Sequence, residues 1–400
     1  MAKASTRTTA TRTTAAEAKP SPAKARRRRG PANIFGADPH KHTLTATVLD
    51  CRGGALGTRS FKVSGEGHRA METWVLGFGP VERWGIEGAS GLGRHTAMYL
   101  VERGHDVRDC SPNRTNERRR GRQQGQTDAS DSLRIARETQ AEPGMPRAFK
   151  RAEGDSGPDE TTELLALWHK ARRSVLKSRQ HILNEAENLL CDLPLEMREA
   201  LPATTDVKSR LAALARTDRD AHMGAPTRLR LELLDGYARE VAELDAKEKL
   251  AVRQLARLTK VAGSTLDGLC GISTRSAAEL LVEVGDPRRF AGEGGFARFN
   301  GSAPIPASSA EGDDEPVRYR LNRGGNRRVN AVLHIMAVTQ LAHDQRARRI
   351  FDDARHRGHS KKEAMRVVKR HLSDVVYRRM LADLERRLAA PPNTAVRRAA

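Results

Sequence analysis

The sequence lacks the features that would place it in a membrane or tie it together by cross-links. Every Leu/Val-rich run is interrupted by Arg, Lys, Glu or Asp, so none approaches the roughly 20 apolar residues of a bilayer-spanning helix. A membrane-spanning protein is therefore excluded. Only four cysteines occur, Cys51, Cys110, Cys191 and Cys270, and no two form a Cys-x-x-Cys pair. Neither a zinc cluster nor a disulfide framework is indicated, and a reducing cytoplasm is the expected setting. An apolar secretory signal is missing as well, although the Arg/Ser/Thr-rich, acid-poor first stretch has some likeness to an organelle transit peptide. Acidic residues are also in short supply: 50 Asp+Glu stand against 71 Lys+Arg, a net charge of +21. Such a balance suits a polyanionic partner. The 38% of hydrophobic residues suffices for ordinary cores, and the length suggests about two or three domains.

Five segments follow from composition and periodicity. Residues 1–33 are almost all Ala, Thr, Ser, Pro, Lys and Arg, with nine basic residues against Glu17 alone, and are expected to be a disordered basic tail. The remainder is still strongly basic. Over residues 34–150, short β-prone runs are broken by glycine: a strand leading to Asp38, then Leu44 to Leu49, Arg52-Gly53-Gly54, and a run through Phe61 and Val63 that reads as a hairpin. A helix around His68 to Leu76, a strand through Trp84 to Glu87, a helix from about Gly91 to Glu102 and a strand at Asp106 to Cys110 complete an α/β pattern. The basic stretch Arg114 to Arg122, centred on Arg118, Arg119 and Arg120, leads to a helix capped at Thr127 or Asp128. Residues 151–262 carry apolar residues at helical spacing through Leu164, Trp168, Ala171, Val175 and Ile182. A second run, from Leu234 to Leu258, has the 3-4 alternation of a coiled coil. A helical hairpin, a dimerising coiled coil, or a helix packed within its own domain would each produce this pattern. Residues 263–390 open with Gly268-Leu269-Cys270-Gly271-Ile272-Ser273 before a helix, similar to a helix-hairpin-helix element with Ser273 where a second glycine is usual. A Pro/Ser loop, the Arg-rich run Arg318 to Arg328 and two final helices follow, then a second tail over residues 391–400.

Four carboxylates stand out by position: Asp38 and Glu87 at strand ends, and Asp128 and Asp131 on one helix face. Strand ends of one sheet lie side by side and helix residues three apart share a face, so the four can converge. A pocket of hard oxygen donors suits Mg2+ and phosphodiester chemistry. Taken singly, each has an ordinary structural role: Asp38 in a turn, Glu87 in a loop, Asp128 as a cap. Asp50 also ends a β-prone run and competes for the first position, though its place before Arg52-Gly53-Gly54 suits a hairpin turn. His40 and His42, close to Asp38, read as surface residues or as supports of that acid.

The runs Asp38-Pro39-His40-Lys41-His42-Thr43, Gly85-Ile86-Glu87-Gly88-Ala89-Ser90-Gly91 and Thr127-Asp128-Ala129-Ser130-Asp131 resemble the Asp-Glu-Asp-Asp (DEDD) transposases of the IS110 group. The C-terminal half is similar too, through Gly285-Asp286-Pro287-Arg288-Arg289-Phe290, Ala303 to Ser309, and Arg320-Leu321-Asn322-Arg323-Gly324-Gly325-Asn326. The likeness runs from about Ile34 to about Leu388.

By that resemblance the N-terminal domain has a RuvC-like, ribonuclease-H-type fold, followed by a helical coiled-coil linker and a mainly α C-terminal transposase domain. The metal-binding acids fall on Asp38, Glu87, Asp128 and Asp131, which sets Asp50 aside. A second catalytic element, a serine, falls on Ser309 with Ser308 as its neighbour and alternative. The activity implied is Mg2+-dependent cleavage and exchange of DNA strands through a covalent serine–DNA intermediate. Its partners would be element ends, target DNA, a structured guide RNA, and further copies of the chain as a dimer to tetramer. Arg118, Arg119, Arg120, Arg318, Arg320, Arg323, Arg327 and Arg328 would grip phosphates. The chain departs from the family's usual pattern at Ala310, at the acidic Glu311 to Glu315, and at Gln126 and Ser132 around the paired aspartates. A junction-resolving endonuclease that uses water, and a catalytically silent DNA-binding protein, are the competing functions.

Overall fold

A computed structural model describes residues 32–110, 127–152, 159–216, 224–306, 319–322 and 324–389. Strand β1 (Asn33–Pro39) pairs antiparallel with β2 (Thr43–Leu49), and β2 with β3 (Ala55–Lys62). The β2–β3 hairpin turns where Arg52-Gly53-Gly54 implies. Asp50 belongs to that turn, its carboxylate accepting the N–H groups of Arg52 and Gly54, each at 2.8 Å. On the other side of β1, strands β4 (Val81–Glu87) and β5 (Val107–Cys110) join in parallel, each preceded by a helix, α1 (Gly65–Leu76) and α2 (Arg94–Glu102). The sheet order is β3-β2-β1-β4-β5. β1 is buried along its whole length, as a strand covered on both faces must be, whereas edge strand β3 is largely exposed. This mixed sheet with its helices fits a ribonuclease-H-like domain.

One face packs Phe35, Leu44, Val48, Trp84 and Ile86 against Met71, Val75 and Leu100 of α1 and α2. The other face receives α3 (Asp128–Ala141) at unusually close range. Gly36 and Gly85 are register partners on adjacent strands. A Cβ on Gly36 would stand 2.2 Å from the backbone nitrogen of Ala136, and one on Gly85 1.8 Å from Thr139 Oγ1. Only glycine allows the helix to lie on the sheet here. Thr47 and Ser132 hydroxyls meet at 2.7 Å in the same layer, and Arg83 donates to the Thr139 carbonyl at 2.8 Å. Ser132, a departure from the family's usual residue, is thus hydrogen-bonded inside the domain.

The helical middle is a hairpin within one chain. Leu165 of α4 (Glu160–Cys191) packs with Leu255 and Leu258 of α7 (Ala225–Val261), while Ala186 and Leu190 pack with Leu231 and Leu234, so the helices run antiparallel. Arg172–Glu248 and Arg179–Asp245 ion pairs bridge them between those ends. Short helices α5 (Leu195–Glu199) and α6 (Val207–Leu214) lie between them in sequence, Leu211 and Leu214 joining the core at the Leu190 end.

The C-terminal domain surrounds a core of Leu280, Phe296, Leu333, Met336, Val368 and Val376. Its helices are α8 (Thr274–Val284), α9 (Gly292–Asn300), α10 (Arg327–His343), α11 (Gln345–His356) and α12 (Lys361–Ala389). Ser273 caps α8, its hydroxyl accepting the Ser276 N–H at 3.3 Å. Three helices follow the Arg-rich run, not the expected two. The chain breaks at Asp344, whose carboxylate accepts the Ala347 N–H at 2.9 Å and starts α11. A two-stranded ladder, β6 (Ile305–Pro306) with β7 (Tyr319–Arg320), frames the ends of the Pro/Ser loop. All four cysteines are free. No helix among the described residues is long and apolar enough to cross a membrane.

Candidate active site

Strand alternation sets where the first two acids point. Asp38 follows Gly36 by two residues and Glu87 follows Gly85 by two, so both carboxylates face the side covered by α3. Their strands are adjacent and parallel, with Ala37 registered on Ile86 immediately before them. Helix α3 supplies the other two acids from its first turn. Thr127 caps it, its hydroxyl accepting the Ser130 N–H at 3.2 Å while Ser130 Oγ accepts the Thr127 N–H at the same distance, which is a capping box.

The electrostatics of Asp38 register the convergence. Its carboxyl is pushed up to about 6, first by burial, with Glu87, Asp131 and Asp128 adding negative charge and only His40 opposing them. Asp38 is 8% exposed. His40 Nε2 lies 3.6 Å from Asp38 and 3.4 Å from Asp128, bridging strand and helix from a half-exposed position. Asp38, His40 and Asp128 could together hold a metal ion. Asp131 is also held by Arg134 Nη1 at 2.7 Å. The sequence shows only the histidine's nearness to Asp38, because its contact with Asp128 joins residues 88 positions apart.

Behind Glu87 lies a residue that sequence reading passed over. Asp109 of β5 accepts the Ala89 N–H at 3.0 Å, fixing the turn Glu87-Gly88-Ala89. Burial raises its carboxyl, against the Ala89 hydrogen bond and the cations Lys150 and Arg289. Lys150 belongs to the N-terminal domain and Arg289 to the C-terminal one, so this acid senses both.

That junction is built around Lys150 and Glu283. Phe149 and Lys150 adopt left-handed backbone angles, φ 58° and 55°, uncommon for side chains of their size. Lys150 Nζ donates to the Val282 carbonyl at 2.7 Å and its own carbonyl accepts the Asp286 N–H at 3.0 Å. Its ammonium lies 3.8 Å from Glu283, which also accepts from Asn326 Nδ2 at 2.9 Å and from Arg328. Asn326 further caps α10 through the N–H groups of Arg328 and Val329. A Cβ on Gly325 would stand 2.4 Å from the Gly301 backbone, so the Gly325-Asn326 pair combines close backbone approach with a helix cap. Arg328 is therefore engaged with Glu283 in the protein alone, whereas Arg320 and Arg327 are exposed. Ser308, Ser309, Arg118, Arg119, Arg120, Arg318 and Arg323 lie outside the described residues, as do Ala310, Gln126 and the acidic Glu311 to Glu315.

Comparison with known proteins places these features. Residues 35–193 match a family model described as Transposase, of the DEDD IS110 type, and residues 263–352 match the Transposase IS116/IS110/IS902 family. The first match contains the sheet and both ends of helix α4, and the second contains α8 to most of α11. The chain is also 31% identical over 115 residues to the "Insertion element IS110 uncharacterized 43.6 kDa protein" of Streptomyces coelicolor. That match covers 28% of this chain and 27% of the relative. With two transposase domains in the same chain, N-terminal acids on a ribonuclease-H-like sheet and a helical C-terminal domain, the chain belongs to the IS110 family of DEDD transposases.

Proposed function

We propose that the protein is the transposase of a bacterial insertion sequence, cutting and rejoining DNA strands in a Mg2+-dependent reaction. The observation that carries this reading is the position of Asp38, buried beside Glu87, Asp128 and Asp131 with too little positive charge around it. The donor set fits a divalent metal ion. It consists of hard carboxylate oxygens, and its self-repulsion is relieved by a cation. Asp38, Glu87, Asp128 and Asp131 would hold the metal, with His40 beside Asp38 and Asp128 as a further donor within reach. When bound, the metal supplies Lewis-acid stabilisation of charge developing at a phosphoryl group.

The chain's own nucleophile in this proposal is Ser309, or Ser308 beside it. The serine oxygen forms an ester to phosphorus as one P–O bond of the strand breaks. The serine gives up its proton and the departing strand oxygen takes one up. Attack by the strand oxygen of a second DNA end then restores the serine, so the number of phosphate ester bonds is conserved throughout. Arg118, Arg119, Arg120, Arg318, Arg320, Arg323, Arg327 and Arg328 supply phosphate contacts, with Arg328 first leaving or sharing Glu283. A structured guide RNA selects the target, and a dimer to tetramer brings the acids of one subunit to the serine of another.

Incubation with Mg2+, the RNA encoded beside the gene and element-end DNA should trap a denaturation-resistant protein–DNA adduct. Ser309→Ala should abolish it. Cleavage that persists in Ser309→Ala would favour a water-using nuclease, and absence of cleavage by the unaltered protein would favour a silent DNA binder.

A further inference from the structure

The C-terminal domain contains a cation whose surroundings ask for an anion. Lys369, on α12, is partly buried, and its Nζ donates to Asn330 Oδ1 of α10 at 2.5 Å. The amide of Asn330 is fixed in that orientation because its Nδ2 donates to the Asn300 carbonyl at 2.8 Å. Asn300 is fully buried and donates in turn to Ser373 at 2.8 Å, four residues along α12 from Lys369. The ammonium is therefore held in place by a chain of neutral groups.

An ammonium has three N–H donors, and the amide oxygen takes one. Among the described residues no carboxylate lies within ion-pair distance of Lys369, Arg366 or Arg327, in contrast to Arg328 with Glu283 and Arg370 with Asp374. Arg366 lies one turn before Lys369 on α12, so helical spacing puts two cations on one face of that helix. Glu363, one turn before Arg366 on α12, accepts from the N–H and hydroxyl of Ser360 and also feels the Arg366 charge, so Lys369 is the cation of the pair with no facing acid among the described residues. Burial lowers the Lys369 ammonium below the ordinary lysine range, with Arg366 adding to the effect. Partly burying a charge without a counter-charge is unfavourable, and the deficit is removed when a polyanion docks.

Asn330 ties this cation to the chain that leads toward β6. Asn300, to which Asn330 is anchored, ends α9, and the chain then runs through Gly301 to β6, whose partner β7 carries Arg320. The two strands bracket the segment that holds Ser308 and Ser309. We propose that Lys369, positioned by Asn330 and flanked by Arg366, binds a backbone phosphodiester of DNA. The assignment of DNA rests on the transposase reading above, whereas the phosphate site itself rests on the charge arrangement.

Binding measured without chemistry tests it. The full chain bearing Ser309→Ala, in EDTA, is titrated with a duplex of the element-end sequence, and separately with the RNA encoded beside the gene, across a salt series. Adding Lys369→Met should weaken DNA binding about tenfold at moderate salt and lower the slope of log K against log salt by about 1, with Lys369→Arg close to the parent. An unchanged affinity and slope for both probes would overturn the phosphate site. Loss confined to the RNA probe would overturn the DNA assignment. Should Lys369→Met and Lys369→Arg both weaken binding and both melt earlier, the amine is a structural prop for Asn330 and the proposal fails. A missing covalent adduct in the cleavage assay with this binding loss intact would discard the serine mechanism and leave the phosphate site standing.

Discussion

Asp38 and Glu283 are both carboxylates that folding takes almost wholly out of water, yet their affinities for a proton move in opposite directions. Burial pushes each one up. At Asp38 the neighbours Glu87, Asp131 and Asp128 add to that push, and His40 does not offset it. At Glu283 burial is outweighed by Lys150, Asn326 and Arg328, and the carboxyl is held below its ordinary range. Glu283 is satisfied from within the chain and works as a fastener between domains. Asp38 is not satisfied, and its cluster is stable only to the extent that something positive is added. Lys369 is the same situation with the sign reversed. The two groups left short of a partner sit where a metal ion and a phosphate are proposed to bind.

The sharpest way to break this contrast is to neutralise Asp38. Asp38→Asn should reduce Mg2+-dependent strand cleavage by at least about a hundredfold, the scale on which damage to a metal site is felt. In metal-free protein the same change should stabilise the fold. A folded value of about 6 against an ordinary 3.8 means that folding is opposed wherever the group is ionised. The penalty is absent below about pH 4, grows up to about pH 6 and is complete above, reaching about 3 kcal/mol as an upper figure. Thermal unfolding in EDTA should therefore show Asp38→Asn melting above the parent at pH 8 and level with it at pH 3.5. A variant that melts lower at pH 8 would make Asp38 a structural acid. Adding Mg2+ should raise the melting temperature of the parent and leave the variant where it was.

Much of this fold could be read in the sequence because its signals are local. The β2–β3 hairpin, the strand–helix alternation and the cap of α3 each follow from residues within a few positions of one another. The acids Asp38, Glu87, Asp128 and Asp131 stand out in the sequence at strand ends and on a helix face, and family resemblance favours Asp38 over Asp50. What could not be read depends on contacts between distant segments. Gly36 and Gly85 look like interruptions of strands until Ala136 and Thr139 are laid over them. Lys150 and Glu283 are 133 positions apart, and nothing near either indicates the other. Lys369 is one of many basic residues on α12, and nothing near it in sequence indicates that Asn330 reaches it from another helix. The break at Asp344 is not legible because Gln340 to Arg348 keeps a helical composition across it, and the aspartate's capping role shows only in its extended backbone.

A smaller effect is expected at the fastener, with the opposite dependence on pH. Glu283→Gln removes the charge that Lys150 and Arg328 share, and should cost about 2 kcal/mol. That is less than the roughly 3–5 kcal/mol for breaking a fully enclosed pair, because Arg328 keeps 47% of its side chain exposed to water. The stabilisation is present above the ordinary glutamate value of 4.5 and is lost as pH falls through the lower folded value. The gap between parent and variant in chemical denaturation should be widest near pH 7 and close toward pH 3. A gap independent of pH would show that shape and hydrogen bonding, not charge, fasten the domains.

The smallest effect separates the position of the paired aspartates from their charge. Thr127→Ala removes the cap of α3 and should cost about 1 kcal/mol of stability. Because Asp128 and Asp131 lie in the first turn behind that cap, fraying should also weaken Mg2+ affinity by a few-fold in calorimetric titration. Thr127→Ser keeps the hydroxyl and should restore both quantities. Thr127→Asp keeps a capping oxygen but brings a further negative charge to a cluster that already holds Asp38 at about 6. It should regain most of the stability, push Asp38 higher still, and move the pH at which the metal-free destabilisation is complete upward while its onset at about pH 4 stays in place. Identical behaviour of Thr127→Ser and Thr127→Asp in the pH series would mean that the cap positions the aspartates without sharing their field.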